Sequence, residues 1–340
     1  MTLSSLPAMR ARRWSLVLTV GLVLTTVLSA CGQPAPEFAE PAEAAVGQPS
    51  SNDPPGRVLF VANGEVSQWD GDIRTIVSLD NEVNYRTESP TWAPDGSRFA
   101  YVERYEGYSD IIVANADGGT LTQVTTNEPD AEPFSIDYAC LAYWAFDPVW
   151  SPAGEQLIWV SDRDGFEDYF CGPEGRLSDP LYMWYSEDVG GDQDVLSYIL
   201  SSSVGVGDTQ ENPTLSPDGE SAAFTARVGG ESLRNTQVWS IQLAGGESTV
   251  LVDAPDGAFD PAWSPDGDTI AYVQRTGTAS DVWVVPSDGG DPYQLTSVGT
   301  AISPAWSPDG RFLAFFRVEE GEIEAAYIEV TDDGNRLTAS

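Results

Sequence analysis

Along most of the chain, apolar and polar residues alternate in short runs broken at regular intervals by turn-forming residues. Runs such as Thr269-Ile-Ala-Tyr-Val273 and Phe312-Leu-Ala-Phe-Phe316 are rich in the β-branched and aromatic side chains that suit a pleated, half-buried surface. The same punctuation precedes each of them. It reads Pro90-Thr-Trp-Ala-Pro-Asp-Gly96, Pro148-Val-Trp-Ser-Pro-Ala-Gly154, Pro213-Thr-Leu-Ser-Pro-Asp-Gly219, Pro261-Ala-Trp-Ser-Pro-Asp-Gly267 and Pro304-Ala-Trp-Ser-Pro-Asp-Gly310. An eroded copy, Asn52-Asp-Pro-Pro-Gly56, stands before Arg57-Val-Leu-Phe-Val61. Each copy predicts a short strand, a tight turn and a second strand. Proline presets φ at the first central position of the turn, aspartate bonds local backbone, and glycine supplies the positive φ that reverses the chain. About twenty residues further on, Asp110 to Gly119, Gln237 to Gly246 and Asp281 to Gly290 predict a third strand closed by a hairpin turn, with a fourth strand after it.

The second prolines of the motif (Pro54, Pro94, Pro152, Pro217, Pro265 and Pro308) are 40 to 65 residues apart. That is the length of a four-stranded propeller blade, with insertions in the longer units. The reading is an all-β, six-bladed β-propeller over residues 50–340. Trp92, Trp150, Trp263 and Trp306 are expected as core wedges between neighbouring blades, where an indole buries well over ~100 Å².

The pairing of Trp-Ser-Pro-Asp-Gly with Ala-Asp-Gly-Gly resembles the WD40-like propeller repeat of the TolB family, also called PD40. The resemblance covers Gly56 to the C-terminus. It implies a fold rather than an activity, because related repeats also form the non-catalytic propellers of prolyl-oligopeptidase-like enzymes.

The first residues follow a different pattern. Arg10, Arg12 and Arg13 precede an uncharged apolar run from Trp14 to Ala30, and small residues stand just before Cys31. The run is short for a membrane span, and it reads as an export signal over residues 1–30. Leu28-Ser29-Ala30-Cys31 resembles the bacterial lipobox, which implies that Cys31 carries the lipid. Residues 31–49, rich in proline, alanine, glutamate and glycine and poor in large apolar residues, read as a flexible tether. The expected location is the extracytoplasmic side of a bacterial envelope.

Composition narrows the chemistry. The formal net charge is −37, so phosphate-backbone binding, which rests on lysine and arginine clusters, is excluded. There is no histidine, and every basic residue is arginine. Histidine-based triads, histidine-bound zinc and lysine Schiff bases are therefore excluded as well. No cofactor and no metal is expected. The partners anticipated are an envelope protein or a glycan, with the membrane reached through the lipid anchor. A carboxylate-only glycosidase or lyase at the channel mouth is the alternative.

Cys140 and Cys171 form an even pair in an exported chain and predict a disulfide. The loops that carry them emerge on one face. Asp137, Tyr138, Tyr143, Trp144, Asp162, Asp164, Asp168 and Tyr169 mark that face as either a stapled lid or a ligand patch. Ser161-Asp-Arg-Asp-Gly165 lacks the full calcium-loop pattern. Arg104, Arg163, Arg227, Arg275 and Arg317 recur near the ends of the second strands. Two readings of them stand: pairing with acids such as Asp110 or Asp281 across the blade, or lining the channel mouth as an anion site.

Overall fold

A computed structural model describes residues 57–70, 72–78, 85–132, 135, 142–162, 182–186, 189, 193–195, 209–228, 236–243, 248–319, 321–332 and 337–339. These residues form six antiparallel sheets, each following the last in sequence. Blade 1 holds β1 (Val58–Ala62), β2 (Glu65–Trp69) and β3 (Ile73–Val77). Blade 2 holds β4 (Arg86–Trp92), β5 (Arg98–Arg104), β6 (Ser109–Asn115) and β7 (Thr120–Gln123). Blade 3 holds β8 (Ala145–Trp150), β9 (Leu157–Ser161), β10 (Tyr182–Ser186) and β11 (Gln193–Val195). Blade 4 holds β12 (Thr209–Leu215), β13 (Ser221–Arg227), β14 (Thr236–Gln242) and β15 (Thr249–Val252). Blade 5 holds β16 (Ala258–Trp263), β17 (Thr269–Thr276), β18 (Ala279–Pro286) and β19 (Tyr293–Gln294). Blade 6 holds β20 (Ile302–Trp306), β21 (Phe312–Glu319), β22 (Glu322–Asp332) and β23 (Leu337–Ala339).

The fold is the expected β-propeller, with a difference in the first blade. Five blades are complete and four-stranded, whereas the first sheet has three strands among the described residues. In sequence its β1 follows the eroded Pro-Pro-Gly copy of the motif, as the second strand follows the motif in the other blades. The residues ahead of that turn lie outside the described ones.

The turn chemistry works as the motif predicts. Ser216 Oγ donates to Asp218 Oδ1 at 2.5 Å, and the Glu220 and Ser221 amides donate to Asp218 and Ser216 at 2.9 and 3.0 Å. Gly219 has φ +74°, and a Cβ there would stand 3.3 Å from the ring of Pro152 in the preceding blade. The turns therefore nest against one another around the ring. A closer approach occurs at Gly118, where a Cβ would fall 1.7 Å from the Ile76 carbonyl oxygen. Only glycine lets blade 2 sit so close to blade 1.

The hydrophobic core is divided into layers between blades. Val66 and Val77 of blade 1 pack with Phe99, Tyr101 and Ile112 of blade 2. Blades 2 and 3 share Val102, Ile111, Trp150 and Trp159, and blades 5 and 6 share Val282, Val284, Leu313 and Phe315. The tryptophans are wedges as expected. Trp150 is buried, and its Nε1 donates to the Thr91 carbonyl of the preceding blade at 3.2 Å. Trp306 does the same to Ala262 at 3.1 Å. Arginines cover two of the indoles: the Arg57 guanidinium lies 4.1 Å from the Trp92 ring centre, and Arg98 lies 4.9 Å from that of Trp150. Arg98 also donates to the Gly154 carbonyl at 2.7 Å. Each such arginine ties one blade to the next turn.

Replacing Trp150 with alanine opens a cavity between two blades and removes a cross-blade hydrogen bond. The expected cost is about 3–5 kcal/mol, read as a lower denaturant midpoint at unchanged slope.

Candidate functional site

The innermost strands of blades 2 to 6 lie side by side, and each carries a bulge in the same place. The register slips between Glu88 and Thr91, Phe146 and Val149, Glu211 and Thr214, Phe259 and Ala262, and Ile302 and Ala305. At each bulge, the residue just before the motif's first proline has positive φ: Ser89 (47°), Asp147 (47°), Asn212 (52°), Asp260 (51°) and Ser303 (51°). A non-glycine residue in this region is uncommon and is held there by its surroundings. Here the surroundings are the neighbouring bulges. Ser89 Oγ donates to Asp147 Oδ1 at 2.9 Å, and the Asn212 amide donates to Asp147 Oδ2 at 3.3 Å. The Ser303 amide and hydroxyl donate to Asp260 Oδ2 at 3.2 and 3.3 Å. The Asp260 amide donates to Thr225 Oγ1 of blade 4 at 3.0 Å. A polar belt thus runs from blade 2 to blade 6 along the inner strands.

Charged groups join this belt. Glu88 accepts from Arg104 Nη1 at 3.1 Å and from Arg86 Nε at 2.9 Å. Arg227 Nη2 bridges both oxygens of Glu211 at 2.8 and 3.1 Å. The Arg275 guanidinium lies 4.3 Å from the Phe259 ring centre. Asp147 and Asp260 keep partial contact with solvent, but protein surrounds them on enough sides for desolvation to dominate their titration. Burial raises Asp147, against hydrogen bonds from Ser89 and Asn212. It raises Asp260 to about 6, opposed by Ser303 and reinforced by the charge of Asp147. Glu211 is raised to about 7, chiefly by burial and despite Arg227.

The partners of the recurring arginines differ from the expectation. The acids that meet Arg104 and Arg227 are Glu88 and Glu211, on the innermost strand of the same blade. Asp110 and Asp281 bind the fourth strand and the loop after it. Asp110 accepts from Thr125 Oγ1 at 2.9 Å, the Asn127 amide at 2.8 Å and Gln123 Nε2 at 3.0 Å. Asp281 accepts from Thr296 Oγ1 at 3.2 Å and the Gly299 amide at 3.0 Å. Arg317 pairs at the exposed edge of blade 6 with Glu319 and with Glu324, the latter at 3.2 Å.

Part of the expected loop face meets the inner belt. Trp144 donates its amide to Asp162 Oδ1 at 2.7 Å, and its ring stacks on Phe146 at 5.9 Å. The Arg104 guanidinium lies 4.9 Å from the Trp144 ring centre, so Arg104, Trp144 and Asp162 stand together. The Tyr143 carbonyl accepts from the Ser109 amide at 3.2 Å. Cys31, Cys140, Cys171, Asp137, Tyr138, Arg163, Asp164, Asp168 and Tyr169 lie outside the described residues. Among the described residues, no group of three cysteine or carboxylate side chains could hold a metal ion.

These features define a β-propeller with a polar, mixed-charge axis. Residues 199–340 match the PD40 family, the TolB beta propeller domain, and the fold is a TolB-like propeller. TolB from Acinetobacter baumannii superposes with a TM-score of 0.57 at 19% identity, over 81% of this chain and 61% of that one. An oligogalacturonate lyase from Vibrio parahaemolyticus superposes with a TM-score of 0.52 at 12% identity, over 84% and 71% of the two chains. In sequence, an uncharacterized peptidase of Bacillus subtilis, YuxL, is 30% identical over 169 residues. That match takes in 48% of this chain and spans 19% of the relative's length.

An acid whose folded pKa lies above its unfolded value holds its proton more tightly in the native state. Asp260 and Glu211 therefore favour folding below pH ~4, and that contribution is lost as pH rises through about 6 and about 7. Asp260→Asn is expected to flatten this part of the stability–pH curve and to stabilise the protein at pH ~8 by about 1–2 kcal/mol. The turn residue Asp218, which is held low by Ser216 and the Glu220 amide, serves as the control. Chemical denaturation of Asp260→Asn and Asp218→Asn from pH ~4 to ~8 makes the comparison.

Proposed function

We propose that the protein is a binding module of the cell envelope, held to a membrane by lipid on Cys31 and reaching out through the tether of residues 31–49. Its propeller presents a partner-binding face to an envelope protein or glycan. The observation that carries this reading is the use made of the inner-strand charges. Glu88 and Glu211 are bound by arginines, and Asp147 and Asp260 are bound by neighbouring bulges. Charges committed to one another in this way hold blades in place, and each of these four acids already has a partner among the described residues. The face beside them, around Trp144 and Asp162, combines an aromatic ring with a carboxylate, with the buried Arg104 guanidinium behind the ring. Such a combination suits a polar partner with apolar patches. A disulfide between Cys140 and Cys171 would staple the same face.

A second reading rests on Glu211 and Asp260. Values of about 7 and about 6 are those of working general acids and bases, and a lyase is among the similar folds. Under that reading the axis cleaves an acidic or neutral glycan.

One set of variants separates the two. The binding reading expects Trp144→Ala to lose an envelope partner that the parent chain captures by crosslinking, while Glu211→Gln with Asp260→Asn keeps it. The enzymatic reading expects the double variant to lose at least ~100-fold in glycan cleavage, measured by release of reducing ends from polygalacturonate. Cys31→Ser is expected to abolish incorporation of labelled palmitate, which tests the anchor separately.

A further inference from the structure

We propose that the cavity between blades 1 and 2 is a binding site for a small alkylated ammonium cation. It is an open cleft of about 450 Å³, within the range of small-ligand pockets, and lies apart from the axial belt. Its wall includes Ile76 from blade 1, then Tyr85, and Tyr101, Glu103, Tyr105 and Thr120 from blade 2.

Strand alternation places these groups. Tyr101 and Glu103 are two residues apart on β5 and so fall on the side that faces blade 1, and Tyr105 follows the strand directly. Val102 faces the other way, into the layer shared with blade 3, and Arg104 is bonded to Glu88. The strand thereby separates a carboxylate from the guanidinium next to it in sequence. The rings are held in place. Tyr85 meets Tyr105 edge-on at 4.4 Å, and Tyr105 stacks on Tyr108 at 4.5 Å. Tyr101 is 1% exposed.

Glu103 supplies the charge. Tyr101 Oη donates to its Oε1 at 2.9 Å, and Tyr105 Oη donates to its Oε2 at 2.5 Å. Burial and the Glu103 charge raise both phenols, so they stay protonated and remain donors. Among the described residues, no basic side chain lines the cavity or pairs with Glu103. Hydrogen bonds from neutral hydroxyls support the carboxylate without cancelling its charge. A carboxylate set among tyrosine rings attracts a cation that also has apolar surface, through charge and through the ring quadrupoles. An anion is repelled, and a neutral sugar gains nothing from the charge.

The test titrates choline into the full chain by calorimetry, beside 3,3-dimethylbutan-1-ol, which has the same shape without the charge, and beside glucose. Choline is expected to bind at least about tenfold more tightly than the uncharged analogue. Glu103→Gln, with an unchanged thermal midpoint showing that it folds, is expected to erase that difference. Tyr85→Ala should weaken choline without favouring the analogue. Vesicles identify the source of the cation. Glu103-dependent preference for phosphatidylcholine over phosphatidylglycerol indicates a lipid headgroup, whereas choline binding without that preference indicates a free cation. Equal binding of choline and its analogue, preference for glucose, no choline binding to the folded chain, or full choline binding by Glu103→Gln would each overturn the assignment.

Discussion

The structure depends on one backbone feature repeated around the axis: a left-handed residue placed just before a proline in the innermost strand of each complete blade. Proline restricts the residue ahead of it, and a positive φ costs any residue with a Cβ on the order of 1–3 kcal/mol. Five such costs in one small ring require compensation. It comes from the side chains that the bulges turn toward the neighbouring blade, where Ser89, Asp147 and the Asn212 amide form one chain of bonds, and Asp260 and Ser303 form another. The bulge sets the direction of the side chain, and the side chain joins the blades.

This arrangement accounts for the distribution of charge. A chain with a formal net charge of −37 has few cations to distribute, and several of its arginines are used inside the ring. Arg104 and Arg227 neutralise Glu88 and Glu211 where desolvation would otherwise make isolated carboxylates costly. Arg57 and Arg98 lie on tryptophans between blades. The surface keeps the acid excess, which favours solubility and disfavours polyanionic partners. On this account the raised pKa values at the axis follow from close packing of the inner strands.

The blade repeat was legible in the sequence because its turn chemistry is local. Proline, aspartate and glycine act within four residues, and the alternation after them can have only one period. The Trp150 and Trp306 wedges were legible for a related reason, since a large aromatic on a short inner strand has little else to fill but the gap between blades. The acids that meet Arg104 and Arg227 were not legible. Spacing cannot say whether a strand-end arginine turns toward the innermost strand or the third one, and Glu88 and Glu211 have no counterparts in the other blades, where Phe146, Phe259 and Ile302 stand. The belt had a visible signal that was easy to misread. Ser89, Asp147, Asn212, Asp260 and Ser303 are all small and polar and all precede the first proline, which in sequence looks like ordinary turn punctuation. The tyrosine-lined cavity around Glu103 had no signal at all, because it exists only where blade 1 meets blade 2.

The most direct measurement of the central claim is the unfolding free energy of Asp147→Gly. Glycine adopts a φ of 47° without strain, which offsets the roughly 0.5–1 kcal/mol it costs by enlarging the unfolded ensemble, so the main loss is the carboxylate that Ser89 and Asn212 bind. If that carboxylate joins the blades, the variant is less stable than the parent by about 1–3 kcal/mol. Equal or greater stability would contradict the account.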